Sequence, residues 1–124
     1  MSARNRRAGK EWERQLKNGY RASGHDTEHH RDTGTKDEGD LILRVGNYHF
    51  VCEAKNAALN VTGFLSEASV EAEHYAASRT YVDPENVFPF VDWKRKGKTF
   101  DGGVVMLERE VWLRILNVIK ELSK

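Results

Sequence analysis

The sequence predicts an α/β domain built on a mixed five-stranded sheet that is flanked by helices. Its first segment has apolar residues at helical spacing, and it is followed by short apolar runs that turn residues separate. Two further helical segments follow, one between the strands and one after the last strand. The expected order is α-β-β-β-α-β-β-α. A chain of 124 residues can bury one core and is too short for two, so we expect a single domain over residues 1–124.

The first helix is expected over residues 5–21, where apolar side chains recur every four positions at Ala8, Trp12, Leu16 and Tyr20. Glu13 lies at the border of this apolar stripe. Its carboxylate either reaches over the edge of the sheet toward a metal or forms a surface ion pair. Residues 22–39 combine Gly, Ser, Thr and Asp, which predicts a short edge strand near residues 27–31 and a mobile loop.

A β-hairpin follows, because two apolar runs, residues 41–45 and 48–55, flank the turn dipeptide Gly46-Asn47. Pairing of the two runs returns Glu53 to the neighbourhood of Asp40, which directly precedes the first run. The two acids can therefore lie side by side.

Beyond the hairpin, the sequence predicts a helix and then a strand. Thr62 is expected to cap a helix that runs to about Ser78. Residues 87–93 have the composition of a strand, in which Pro89 indicates an edge position or a bulge.

Residues 103–107 are expected to form the last strand, and residues 108–122 the last helix. The apolar side of this helix includes Trp112 and Leu116. It fits either a place in the core or a dimer face.

Asp40, Glu53 and Lys55 supply the two carboxylates and the ammonium that metal-dependent phosphodiester hydrolysis needs. Side chains alternate along a strand, so Glu53 and Lys55 share a face, and Ala54 between them offers its backbone carbonyl. The carboxylates of Asp40 and Glu53 and the backbone carbonyl of Ala54 give three oxygen donors. They form a hard, incomplete coordination shell that suits Mg²⁺ or Mn²⁺. The ion would activate a water, Lys55 would assist that water, and both together would hold the carboxylates ionised. The alternative is a hairpin with solubilising charges, but charges on a buried strand are costly unless paired or ligated.

The same residues resemble the motif of the PD-(D/E)XK nuclease superfamily, an acidic strand followed by Glu-x-Lys, with Gly39 where that family often has Pro. Residues 7–16 resemble the amino-terminal helix of archaeal-type Holliday junction resolvases, in which a Gly precedes a catalytic Glu and an Arg. This alignment selects Glu13, rather than Glu11, as a catalytic residue that joins Asp40, Glu53 and Lys55.

Residues 53–56, 63–68 and 93–98 are similar to the bacteriophage members of that resolvase group, so the resemblance covers residues 4–118 in order. It implies a restriction-endonuclease-like core and Mg²⁺-dependent cleavage of branched double-stranded DNA at four-way (Holliday) junctions. It also implies a homodimer, because a four-way junction is cut on two strands symmetrically. Glu13 would complete the acidic site, directly or through water.

Two other functions stay open from the sequence. Another nuclease of the same fold, of the nicking, repair or restriction type, would share the site and differ in the shape of its DNA. A non-catalytic DNA-binding module would keep the fold, but the intact acids and lysine oppose that alternative.

Positive charge is concentrated in two segments, although the net charge is only +1. Local basic patches of this kind bind the DNA backbone. The residues expected to do so are Arg4, Arg6, Arg7, Lys10 and Arg14 in the first helix, Arg31, Thr33 and Lys36 in the loop before the hairpin, Asn56 after it, and Lys94, Arg95, Lys96 and Lys98. The alternative for the two basic segments is a solvated surface without a ligand.

Several further titratable residues could suggest other sites. His25, His29 and His30, with a single Cys in the chain, fit no structural zinc pattern. Glu67 and Glu71 lie one helical turn apart and either point toward the active centre or face water, and we favour water.

Cys52 lies within the predicted central strand, so it is expected to fill the core of a protein in a reducing compartment. The sequence has no run of 18 apolar residues and no signal peptide. The expected location is therefore the cytoplasm, or the host cell cytoplasm if the protein is encoded by a phage.

Overall fold

A computed structural model describes residues 3–30 and 38–124. Within these ranges the helices and strands follow one another in the predicted order. They are α1 (Ala3–Ala22), β1 (Asp26–His29), β2 (Leu41–Val45), β3 (Tyr48–Lys55), α2 (Val61–Ala77), β4 (Val87–Trp93), β5 (Val104–Met106) and α3 (Arg109–Leu122). Short 3₁₀ turns at Pro84–Asn86 and Phe100–Gly102 precede β4 and β5. The predicted α/β class is confirmed.

The five strands form one mixed sheet in the order β1-β2-β3-β4-β5. β1 and β2, β2 and β3, and β4 and β5 pair antiparallel, whereas β3 and β4 pair parallel. The predicted hairpin is present, and its tight turn uses Gly46 at a positive φ of 58°. The parallel pair requires a crossover, which α2 provides.

The sheet is covered on both faces, and β3 is buried between them. On one face, Trp12 and Leu16 of α1 pack in a cluster that includes Cys52. On the other face, α2 packs against Val51 through Tyr75 and its neighbours. Cys52 is a fully buried free cysteine, as expected for a core residue.

Two local expectations need correction. α2 is capped by Asn60, whose side-chain oxygen accepts a hydrogen bond from the Gly63 backbone N–H at 3.0 Å, so the prediction that Thr62 caps this helix is wrong. Pro89 lies in β4, which has a neighbour on each side, but β5 pairs only with residues 91–93. At Pro89 the β5 side of the strand is therefore open, and the missing N–H of proline is tolerated there.

α3 lies against β4 and leaves an apolar row exposed. Val111 is its fully buried residue, and the Arg114 guanidinium anchors it by donating to the Val87 backbone carbonyl at 3.0 Å. A row of large apolar side chains on α3 is 40–71% exposed: Trp112, Leu116, Ile119 and Leu122, here called the α3 face. The alternative that Trp112 and Leu116 lie in the core is therefore wrong, and the dimer face stays a prediction.

Within residues 3–30 and 38–124, none of the helices combines the length and apolar character that crossing a membrane requires.

Candidate metal site

Asp40 and Glu53 meet at the point where β2 begins and β3 approaches its end. Because Leu41 pairs with Cys52, the next residue on each side comes together as predicted. The Asp40 backbone N–H donates to the Cys52 carbonyl at 2.9 Å, and the Ala54 N–H donates to Asp40 Oδ2 at 2.8 Å. These two hydrogen bonds fix the backbone of Asp40 and the position of its carboxylate. The role of the Ala54 carbonyl as a ligand stays a prediction.

The backbone at Gly39 explains why this chain has Gly before Asp40, where the PD-(D/E)XK motif often has Pro. Gly39 has a φ of +94°, whereas proline is restricted to negative values near −65°. A Cβ at this position would also approach Val51 Cγ1 to 2.6 Å. The local path of the chain into β2 therefore requires glycine.

Glu53 is buried among other acids. It is 6% exposed, and its Oε2 atom has no hydrogen-bond partner within the described ranges. Burial raises the pKa of Glu53 to about 9, and a contact with the Glu71 carboxyl raises it further than the neighbouring Lys55 lowers it. Burial also raises the pKa of Asp40 to about 10, with the charge of Glu53 as the next cause. The neighbours of the Glu53 carboxyl therefore include two further acids, Asp40 and Glu71.

Lys55 supplies one positive charge at the edge of the cluster. Its Nζ lies 2.7 Å from Glu67 Oε2 and 3.8 Å from Glu53 Oε1. Burial works against the ammonium, but the hydrogen bond to Glu67 and the charge of Glu53 outweigh it and raise the pKa of Lys55. Lys55 is therefore a proton donor and not a base. Lys55 alone does not offset the rise in the pKa values of Asp40 and Glu53, and the expectation that a metal ion and Lys55 together hold both carboxylates ionised stays a prediction.

Glu71 is the site residue that the sequence did not predict. It is 4% exposed and contacts Glu53, so the expectation that it faces water is wrong. Glu67 is exposed, as favoured, but it binds Lys55 instead of facing water alone. One signal was present in the sequence: Glu71 continues the buried stripe of α2, which Phe64, Ala68 and Tyr75 otherwise fill.

The glutamates from β3 and α2 form a group that can hold a metal ion. Glu53, Glu67 and Glu71 each offer one carboxylate oxygen, and these oxygens all lie within 4.8 Å of one another. Carboxylate oxygens are the ligands that hard divalent cations prefer. Asp40 contacts Glu53 but is not a member of this group. Together, Asp40, Glu53, Glu67 and Glu71 are called the carboxylate cluster below.

Glu13 of α1 lies near the Asp40 carboxylate, and its place in a metal site or in catalysis stays a prediction. Its negative charge contributes to the raised pKa of Asp40, which places it near that carboxylate. The Glu13 Oε1 atom lies 3.0 Å from Nε2 of His29, and both side chains are largely buried. His29, at the end of the edge strand β1, is thus a neighbour of the site that sequence reasoning did not assign. The contact depends on how α1 crosses β1, which no local pattern reveals.

The two basic segments come together beside the end of β3. The Asn56 side chain donates to the Ala8 carbonyl of α1 at 3.3 Å, and the Lys94 backbone N–H donates to the Lys55 carbonyl at 2.9 Å. The start of α1 and the connection after β4 therefore both lie next to the carboxylate cluster.

Most of the residues predicted to bind DNA are exposed along these two segments. Arg4, Arg6, Arg7, Lys10, Arg95, Lys96 and Lys98 are exposed, and Lys94 is half-buried. Arg14 is also exposed but forms an ion pair with Glu11, and the Arg95 Nε donates to the Gly102 carbonyl at 2.8 Å. Arg31, Thr33 and Lys36 lie outside the described residues, as does most of the loop predicted before Asp40.

No protein-family model matches this chain, and no curated protein matches it. The family resemblance of the motifs therefore stays a prediction. What the described residues of the site offer chemically is a set of clustered oxygen donors, the Lys55 ammonium group, and exposed cations in two neighbouring segments.

Proposed function

We propose that this chain is a Mg²⁺-dependent DNA endonuclease that cleaves four-way junctions, with Mn²⁺ as a substitute ion. The observation that carries the proposal is the burial of Glu53 against Asp40, with the two carboxyls in contact beside Lys55. A structural ion pair would give each buried carboxylate its own cation. Here the acids outnumber the nearby cations, which favours a bound metal ion.

Asp40, Glu53 and the Ala54 carbonyl would hold the ion, and Glu13 would complete the acidic site directly or through water. When bound, Mg²⁺ lowers the pKa of a coordinated water and polarises a phosphate oxygen. The Lys55 ammonium lies on the Glu53 side of the cluster, where it would orient the attacking water or neutralise charge on the phosphate. Its raised pKa supports this role and opposes a role as general base.

The position of the basic segments supports DNA as the substrate. Cations near a carboxylate-rich centre attract a polyanion that the acids alone would repel. Arg4, Arg7 and Lys10 are exposed on the part of α1 whose Ala8 carbonyl contacts Asn56. Lys96 is exposed in the connection after β4, whose Lys94 N–H donates to the Lys55 carbonyl. The four-way junction, rather than linear duplex, comes from the family resemblance.

The deciding experiment incubates the purified chain with a labelled four-way junction or a linear duplex of the same arm sequence, with Mg²⁺ or with EDTA. We expect Mg²⁺-dependent nicks in opposing strands of the junction and slower cleavage of the duplex. Lys55→Ala should bind the junction but cut it slowly. Equal rates on both DNAs would instead favour a nicking, repair or restriction-type nuclease. Tight binding without any cleavage would favour the non-catalytic module.

We also propose that the protein acts as a homodimer whose subunits meet through the α3 face. Symmetric cleavage of a junction needs two active centres, and a second copy presents the same apolar helix. Trp112, Leu116, Ile119 and Leu122 recur at the three- and four-residue spacing of a helix–helix seam, and all are exposed. Ile119→Glu should convert a dimer into a monomer in light scattering and abolish paired nicking. A wild-type monomer would contradict the proposal.

A further inference from the structure

We propose that the carboxylate cluster holds two divalent cations that share Glu53, and that Glu67 and Glu71 of α2 are ligands of the second. The first cation is the one that the proposed function assigns to Asp40 and Glu53, so the inference rests on that function and extends it. The second position takes a hard cation, such as Mg²⁺, Mn²⁺ or Ca²⁺, because its donors are carboxylate oxygens.

The layout of the acids separates the two positions. Asp40 comes from the start of β2 and is held by the Ala54 N–H, whereas Glu67 and Glu71 come from α2. Glu53 lies between them and contacts both Asp40 and Glu71. The oxygens of Glu53, Glu67 and Glu71 lie within 4.8 Å of one another, which a single cation can span, and Asp40 is outside that group.

A second observation points to a ligand at this place. Glu53 is 94% buried, given its 6% exposure, and its Oε2 atom is buried without a hydrogen-bond partner in the part of the chain that the structure describes. An unpartnered buried carboxylate oxygen is costly. Glu53 contacts the carboxyl groups of Asp40 and Glu71. Two carboxylates in contact repel each other unless a proton or a cation lies between them. A cation on each side of Glu53 satisfies both of its oxygens.

The Lys55 ammonium partly neutralises the carboxylates that would bind the second cation. Its Nζ contacts Glu67 at 2.7 Å and Glu53 at 3.8 Å, so it touches two of the three proposed ligands. A cation bound there would compete with the ammonium for Glu67. Removing the Lys55 charge should therefore strengthen binding of the second cation, which a purely structural role for Glu67 and Glu71 does not predict.

The test is a Mn²⁺ titration of the full chain without DNA, followed by calorimetry and by electron paramagnetic resonance. We expect two Mn²⁺ per chain, with spectral coupling between them because ions in shared-ligand sites lie about 4 Å apart. Glu71→Gln and Glu67→Gln should each bind one uncoupled ion. Lys55→Ala should bind two, the weaker of them at least about tenfold more tightly than in the wild type.

Glu73→Gln provides the matched control, because Glu73 is an exposed glutamate of the same helix, and it should still bind two ions. Glu67 is exposed, so Glu67→Gln gives a result even if Glu71→Gln does not fold. One ion in the wild type, or two coupled ions in both α2 variants, would overturn the inference. The readout is independent of cleavage: two bound ions without nuclease activity would refute the proposed function alone, and one ion with activity would refute this inference alone.

Discussion

Two regions of the sheet bury acidic side chains, and they do so in opposite ways. Asp92, on the α1 side, is 3% exposed, and its Oδ2 accepts a hydrogen bond from the Tyr20 hydroxyl. Glu53, on the α2 side, is 6% exposed, and its neighbours include Asp40 and Glu71. Burial alone is therefore not what distinguishes a candidate catalytic acid. The distinction lies in what faces it, a neutral donor in one region and further acids in the other.

The pKa values follow that difference. Burial raises the pKa of Asp92 to about 6, and the hydrogen bond from Tyr20 limits the rise. The Tyr20 hydroxyl in turn has its pKa raised by burial and by the charge of Asp92, so it stays a donor. For Asp40 and Glu53 the neighbours that raise the pKa are other acids: burial and then the charge of Glu53 raise the pKa of Asp40 to about 10, and burial and then the contact with Glu71 raise that of Glu53 to about 9. Asp92 thus has a neutral donor from the protein, whereas the carboxylate cluster offers oxygens that could hold a cation.

The largest expected effect separates the two regions by activity. Asp40→Asn removes a proposed metal ligand and should slow junction cleavage by about 10³-fold or more. Asp92→Asn is the matched change in the other region and should leave the cleavage rate little changed, because the asparagine oxygen can still accept from Tyr20. Single-turnover rates with saturating Mg²⁺ measure both. Cleavage that survives Asp40→Asn would refute the site assignment.

The second prediction concerns the pH dependence of stability without metal. The pKa values of Asp40 and Glu53 in the folded chain, about 10 and about 9, exceed their ordinary values of 3.8 and 4.5. Between those values the folded state keeps protons that the unfolded state has lost, so stability falls as pH rises. In EDTA, the free energy of unfolding in urea should fall by about 1.4 kcal/mol per pH unit for each retained proton.

The window from pH 7 to 8.5 isolates the carboxylate cluster in that measurement. Asp92, with a folded pKa of about 6, has completed its contribution below this window. Glu53→Gln should flatten the decline and Asp92→Asn should not. Added Ca²⁺ should also flatten it, because a bound cation replaces the protons. A decline that is the same in EDTA, in Ca²⁺ and in Glu53→Gln would show that the acids are not protonated in the free protein.

The pairing of Asp40 with Glu53 was predictable because it depends on local structure. A two-residue turn at Gly46-Asn47 fixes the register of the hairpin, and the register fixes which residues adjoin. The alternation of side chains then puts Glu53 and Lys55 on one face, and the two are 3.8 Å apart. This part of the site needs no knowledge of the rest of the fold.

Glu71 was not predictable in the same way. Its position follows from how α2 rotates as it packs on the sheet, and an acid in a buried stripe is normally rejected in favour of an apolar residue. The contact between Glu13 and His29 likewise depends on α1 crossing β1. Sequence periodicity predicts which residues share one face of a helix. Which residues that face contacts depends on tertiary packing.

The third prediction tests Asp92 as a structural acid. Tyr20→Phe removes the hydroxyl that donates to Asp92 and leaves a buried carboxylate with one fewer partner. The free energy of unfolding at pH 8 should fall by about 1–2 kcal/mol, with cleavage per folded molecule unchanged. Equilibrium urea unfolding and single-turnover cleavage provide the two readouts. A loss of activity greater than the loss of folded protein would assign Asp92 to the catalytic machinery and would remove the contrast between the two regions.

The smallest expected effect concerns His29. Its side chain contacts Glu13, just as the side chain of Tyr20 contacts Asp92, and we expect each of these neighbours to orient the acid that it contacts. His29 Nε2 lies 3.0 Å from Glu13 Oε1, and both residues are partly buried. His29→Ala should weaken metal-dependent cleavage by roughly tenfold, as expected for a residue that positions a ligand. His29→Gln, which retains a donor, should recover part of that loss, whereas His25→Ala, an exposed histidine before the same strand, should lose nothing. If His29→Gln is as slow as His29→Ala and the Mg²⁺ concentration for half-maximal rate is unaltered in both, then His29 does not orient Glu13, and the contact is a packing contact only.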